Sequence, residues 1–174
     1  IDYLIGTHPH EDHIGGLDNV IKNFDIGEIY MPEKSSDSMT FEDVVNAIYS
    51  KQLTITKPIP GTTIYKDEDT NIQILAPIKD AGDDLNNHSI VIRMDYINNS
   101  FLFTGDAETK VENDILNKGY NVDVDVLKVG HHGSSTSSSP KFLNKVTPEY
   151  AIIQVGENNE YGHPHNETID RFNK

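Results

Sequence analysis

A short apolar run, Tyr3-Leu4-Ile5, leads directly into Thr7-His8-Pro9-His10-Glu11-Asp12-His13-Ile14-Gly15-Gly16. This pairing constrains the rest of the chain more than any other feature. His8, His10, Asp12 and His13 place three imidazoles and a carboxylate within six positions. Histidine and carboxylate are the usual protein ligands of zinc and similar metals. An apolar strand that ends in such a turn aims its ligands at one point above a sheet edge. Gly15-Gly16 then lets the backbone turn tightly into the next element. A dense His-rich surface loop is the bland alternative. With only 8 histidines in 174 residues, however, chance crowding of this kind is improbable. The stretch reads as a metal loop.

Beyond the loop the chain alternates in character. Leu17, Val20, Ile21 and Phe24 recur at helical spacing, which predicts an amphipathic helix over 16–24. Ile26 to Met31 reads as the next strand, ended by Pro32. Thr40 followed by Asp43 resembles a capping box opening a helix with Phe41, Val44, Val45 and Ile48 on its apolar face. Short runs at 53–56, 62–65 and 72–75, separated by Pro58, Pro60-Gly61 and Asp67-Glu68-Asp69, predict an antiparallel section. Strands at 89–96 and 100–104 flank the turn Asn98-Asn99, and a helix over 108–118 ends at Gly119. A strand over 122–129 stops at Gly130-His131-His132-Gly133. A short helix over 140–146, a strand over 150–155, a His-bearing loop and a last helix capped by Asn166 complete an α/β chain.

Length and composition set outer bounds. A chain of 174 residues is expected to form a single domain over 1–174. No apolar run reaches the ~18 residues that a membrane-spanning helix needs. The net charge of −14 opposes unaided binding of nucleic acid phosphates, although bound metal ions would alter the field locally. With no cysteine, any metal is held by histidine and carboxylate. No signal peptide is visible and cysteine is absent, so the compartment stays open between cytoplasmic and extracellular.

Each polar cluster falls at the end of a predicted strand. Asp106 follows the 100–104 strand, His131 and His132 follow the 122–129 strand, and His163 and His165 follow the 150–155 strand, while His88 lies just before the 89–96 strand. Strands side by side would bring these ends to a common rim, where α/β proteins place their ligands. Asp106 also suits the N-cap of the 108–118 helix, a role compatible with metal binding. His163, on a Gly-Pro-bounded loop, is the better candidate for contacting substrate or donating a proton. His165 reads as a bystander, and Lys128 as a solvated edge lysine.

The pattern His8-x-His10-x-Asp12-His13, then Thr104-Gly105-Asp106, then a later histidine, resembles the metallo-β-lactamase superfamily. Asn86-Asn87-x-Ser89, Leu127-Lys128-Val129-Gly130-His131-His132-Gly133-Ser134 and Tyr161-Gly162-His163-Pro164 are similar to one branch. That branch comprises the hydrolase domains of competence DNA-uptake channel proteins (ComEC-type) and related free-standing hydrolases. The resemblance implies a four-layer αβ/βα sandwich (metallo-β-lactamase fold) holding two divalent metal ions, zinc first, with manganese or iron as alternatives. His8 and His10 would hold one ion, and Asp12 and His13 the other. Asp106 would bridge them, and one of His131 and His132 would complete the second site, the sequence not choosing between them. His88 has the placement of a third histidine for the first ion, with an exposed turn residue as the alternative.

By that resemblance a dimetal-bound hydroxide attacks an ester, with a phosphodiester favoured. Asp12, Asp106 and His163 are the candidate catalytic residues. The rival expectations are hydrolysis of a β-lactam, lactone or thioester, a nuclease module of a DNA-uptake machine, and a metal-stabilised interaction domain without turnover. Candidate partners are a small-molecule or phosphodiester substrate, with nucleic acid disfavoured by charge. The family normally begins with a β-hairpin region ahead of the metal-loop strand, so first strands, or a neighbouring domain, are expected to complete the sheet.

Overall fold

The computed structural model describes residues 1–173. A first sheet is built from β1 (Tyr3–Ile5), β2 (Glu28–Tyr30) and β3 (Ile55–Thr56), in that order and all parallel. Between its strands run α1 (Glu11–Ile14), α2 (Leu17–Asn23) and α3 (Met39–Ser50). A second sheet takes β4 (Thr63–Lys66), β5 (Thr70–Ala76), β6 (Val91–Tyr96), β7 (Asn99–Phe103), β8 (Val126–Lys128) and β9 (Tyr150–Ile152) in chain order. Its first four strands are antiparallel, and β7, β8 and β9 run parallel. The parallel steps need crossovers, supplied by α4 (Thr109–Asn117) and α5 (Pro140–Val146); α6 (Asn166–Phe172) closes the described chain.

Side-chain alternation turns these sheets into layers. In the first sheet Leu4 and Ile29 face Ile14, Ile21, Val44 and Ile48 of the helices. Their neighbours Tyr3, Ile5 and Tyr30 face the other way, onto Ile72, Ile74, Ile90 and Ile92 of the second sheet. That sheet's far face, with Leu75, Val91, Leu102 and Leu127, packs under Val111 and Ile115 of α4 and Phe142 and Val146 of α5. The order is helices, sheet, sheet, helices, the four-layer αβ/βα sandwich expected from the sequence. Isoleucines 14, 21, 29, 74 and 90 are at most 1% exposed, and each such burial is worth about 1.5–3 kcal/mol.

Several local expectations change. The 53–56 run forms β3, which pairs parallel with β2 rather than joining the antiparallel section, because the crossover through α3 returns it to the first sheet. Ser38, not Thr40, caps α3: its Oγ accepts from the Phe41 N–H at 3.1 Å, while the Thr40 hydroxyl donates to Glu11. The 122–129 run is strand only over 126–128. Ahead of it, the Val124 N–H donates to the Val146 carbonyl, and the Asp123 carbonyl accepts from the guanidinium of Arg93. Asn166 is the first residue of α6 and His165 occupies its N-cap. Likewise Glu108, not Asp106, stands at the N-cap of α4. Gly119, with φ of +71°, does follow the end of α4 as expected. Among the described residues β1 pairs with β2 alone, so the strand that carries the metal loop is an edge strand.

Candidate metal centre

The tips of β1, β7 and β8 and the turn ahead of β6 meet at one end of the sandwich. The Ile90 N–H donates to the Thr7 carbonyl at 2.9 Å, and the His131 N–H to the Gly105 carbonyl at 3.1 Å, so backbone bonds lock the loops of both sheets together. Gly105 has φ of +53°, and a Cβ there would lie 3.0 Å from the Ser89 side chain, so the Thr-Gly-Asp turn requires glycine. Ser89 occupies the space this leaves. Its Oγ accepts from the Asp106 N–H at 2.9 Å and lies 3.2 Å from His8 Nδ1. Thr7 Oγ1 is also 3.2 Å from that nitrogen. With Nδ1 committed to these hydroxyls, Nε2 of His8 is left to face Nδ1 of His10 at 3.0 Å and Asp106 Oδ2 at 3.9 Å. His8 is 0% exposed; burial first, and the His13 ring second, push its pKa down to about 3, which keeps the ring neutral and able to ligate.

A second group converges beside the first. His13 Nε2 lies 3.1 Å from His132 Nε2, 3.2 Å from Asp106 Oδ1 and 3.6 Å from Asp12 Oδ2. His132 Nδ1 sits 2.8 Å from the Gln154 carbonyl, which can only accept, so Nδ1 carries a proton and Nε2 is the nitrogen left to ligate. That nitrogen is 3.1 Å from Asp12 Oδ2 and 3.5 Å from Asp106 Oδ2. Atoms with lone pairs packed this close need a proton or a metal cation among them. Asp106 makes the same point. It is buried, and its Oδ1, despite the nearby His13, accepts no hydrogen bond. Burial alone would raise its pKa, but the adjoining His13, His8 and His131 outweigh that and hold the carboxyl well below the usual range. A buried, ionised carboxylate with imidazole nitrogens closing on both of its oxygens is the donor chemistry of a divalent metal site. His8, His13 and Asp106 form one group with ligand atoms close enough to share an ion, and Asp12, His13 and His132 form another.

The remaining sequence candidates divide. His131 stands next to the groups rather than in them, with Nε2 3.7 Å from Asp106 Oδ2 and Nδ1 3.6 Å from Glu108 Oε1. Burial lowers its pKa. The ring of His163 lies 5.4 Å from that of His131 and stacks at 21° to His132, so it borders the centre. His88 does not join. Its Nε2 hydrogen-bonds the Gly82 carbonyl at 3.0 Å, and the short 3-10 turn over 86–88 turns the buried ring away from the cluster. His165 clips two loops together instead, accepting from the Ser135 N–H at 3.0 Å and lying 3.1 Å from the Tyr161 carbonyl. Beneath, the carboxylate of Glu112 accepts from the N–H groups of Ser138 and Ser139, and Arg171 donates to the carbonyls of Ser135 and Ser137. The serine-rich patch is thus the rigid floor of the histidine loop.

Sequence reasoning passed over Thr7, Ser89 as a positioning hydroxyl, and Gln154, which acts through a carbonyl that any residue could supply. It also misplaced Lys128, which lines the cleft over the centre and is half-buried. That cleft has a volume of about 1250 Å³ and is bordered by His10, His13, Asp106, His132 and Tyr161 among others.

The profile of the Metallo-beta-lactamase superfamily matches residues 1–157. ComE operon protein 3 of Bacillus subtilis (strain 168) is 32% identical over 169 residues, covering 97% of this chain and 22% of that protein. Competence protein ComA of Neisseria gonorrhoeae is 42% identical over 165 residues, covering 94% of this chain and 21% of that protein. The chain thus spans about a fifth of the length of the curated relatives it matches. CmlA, a diiron β-hydroxylase from Streptomyces venezuelae, superposes with a TM-score of 0.60 at 14% identity, over 98% of this chain and 40% of that one. The metallo-β-lactamase fold protein YhfI from Bacillus subtilis does so at 0.53 and 13% identity, over 98% and 70%. These two likenesses speak for the fold alone. Profile and relatives agree with the fold and the donor cluster: the chain belongs to the metallo-β-lactamase superfamily.

Proposed function

We propose that this chain is a two-metal hydrolase of phosphodiesters. The observation that carries the reading is the pair of donor groups that share His13, with Asp106 in one and 3.5 Å from His132 of the other, open to a cleft large enough for an extended substrate. His8 and His10 would hold one divalent ion, Asp12, His13 and His132 the other, and Asp106 would contribute to both. Zinc suits the nitrogen-rich set, with manganese or iron as alternatives. Two such ions lower the pKa of water and neutralise charge that builds on a phosphoryl oxygen.

The chain's own residues supply the rest. The Asp12 side chain, 62% exposed, reaches into the cleft and can orient a water as well as ligate. Burial and its histidine neighbours lower the pKa of His163, which favours the neutral ring, whose N–H can hydrogen-bond the leaving oxygen. His131, between Asp106 and Glu108, keeps a second exchangeable proton beside the reacting atoms. The names of the relatives, competence and recombination proteins, favour DNA as the source of the phosphodiester. The net charge of −14 means that another part of a longer protein would deliver the strand.

Elemental analysis of the purified protein, run beside a bis-(p-nitrophenyl) phosphate assay and a chromogenic cephalosporin assay, tests the reading. About two metals per chain with turnover of the diester is the expected result. Turnover of the lactam alone would move the substrate class, and less than one metal per chain without turnover would overturn the proposal.

A further inference from the structure

Lys128 is the last residue of β8 and points away from the helix-facing Leu127, into the cleft. Its cross-strand neighbours are Phe103 on β7 and Ile152 on β9, both apolar, so nothing beside it in the sheet calls for a cation. Of the ammonium's three donors, one reaches the Val129 carbonyl at 3.1 Å. Among the described residues it makes no ion pair, although salt bridges join nearby Asp12 and Asp106 to histidines. Among the described residues it is the one lysine or arginine in a cleft lined otherwise by histidines, two carboxylates beyond Asp106, and neutral groups. A half-buried ammonium costs free energy unless something compensates it.

Resting on the phosphodiester reading, we propose that Lys128 binds the substrate's anion, holding a non-bridging phosphoryl oxygen with the two donors the fold leaves unused. A compact, strongly charged ammonium on a flexible stem suits a phosphoryl oxygen. Its position on a strand, four residues before His132, ties the anion's location to the metal ligands. Burial lowers the pKa of Lys128, and the charges of Asp106 and Asp12 oppose that shift. The same residue would discriminate between substrates. A neutral ester or lactone offers no charge for it to meet.

The test titrates zinc-loaded wild type, Lys128→Met and Lys128→Arg with inorganic phosphate by calorimetry. In parallel it measures kcat/KM for bis-(p-nitrophenyl) phosphate and for the neutral p-nitrophenyl acetate. Lys128→Met is expected to weaken phosphate binding at least tenfold and to lower kcat/KM on the diester by 10- to 100-fold, mainly through KM. The acetate should change less than twofold, zinc content should be unchanged, and Lys128→Arg should recover part of the loss. Lys128→Gln serves if the Met variant melts early. Phosphate affinity that is equal in wild type and Lys128→Met, or absent from both, overturns the anion site. Loss of zinc in Lys128→Met overturns it too, since the lysine would then be a counter-charge for the centre. Lys128-dependent phosphate binding without any diester turnover would instead remove the phosphodiesterase reading and leave the anion site standing.

Discussion

His132 shows how a single side chain is committed by its surroundings. The Gln154 carbonyl fixes a proton on Nδ1, and Nε2, the nitrogen left to ligate, is then aimed at Asp12 and His13. His131, one residue earlier, has its two nitrogens near Glu108, Thr136 and Asp106 and faces no second histidine ligand atom at such close range. Replacing His132 by alanine should therefore lower the metal content from about two ions per chain to about one. Replacing His131 should leave the content unchanged and slow turnover; the size expected is 10- to 100-fold, the usual cost of losing a proton-transfer or orienting group. Elemental analysis against kinetics separates the two. His88→Ala should change neither, because its ring serves the Gly82 carbonyl. The sequence placed both members of the 131/132 pair at the site. It could not rank them, because the deciding acceptor comes from residue 154 by way of the main chain.

Elements place these side chains through their ends. His131 and His132 both adopt left-handed backbone, with φ of 48° and 53°. Two successive non-glycine residues in that region cost of order 1–3 kcal/mol each, and they persist only where the surroundings over-determine them. Here the surroundings are the serine floor held by Glu112 and Arg171, and Gly133, whose absent Cβ would otherwise meet Pro164 at 2.6 Å. The strain sits at the site, and the bonds that hold it lie a layer below. In the first half of the chain, α3 is fixed by its cap. Ser38→Ala should cost about 1 kcal/mol of stability, read as a shift of the denaturant midpoint, and Thr40→Ala clearly less. The spacing of Thr40 and Asp43 imitates a capping box two residues late, an ambiguity that sequence spacing cannot resolve because Ser38 also fits.

For the whole molecule, the centre is a joint between layers. His8, His10, Asp12 and His13 come from the first sheet, and Asp106 and His132 from the second. An ion shared across them binds the folded chain and not the unfolded one, and so it stabilises the sandwich. At a free concentration 100-fold above its Kd the gain is about 2.7 kcal/mol. Chelation should lower the melting temperature by several degrees, and zinc should restore it. A melting curve indifferent to both would mean that the donor groups hold no ion. Bound ions would also temper an acidic molecule, where close carboxylates and a −14 charge otherwise repel.

The sequence by itself determined the ligand types, their grouping at strand ends and the alternation that makes two-faced strands, because these are local: spacing, period and side-chain chemistry. From them came the sandwich and the expectation that the candidate ligands gather at one rim. The turning of His88 toward Gly82, the different surroundings of His131 and His132, the parallel placement of β3 and the burial of Lys128 in the cleft wall were decided by tertiary structure. Each depends on a partner distant in sequence: the Gly82 and Gln154 carbonyls, the register against β2, and the apolar neighbours Phe103 and Ile152. A main-chain carbonyl or an empty place beside a strand leaves no mark in residue identity. The chain must fold before such a neighbour exists.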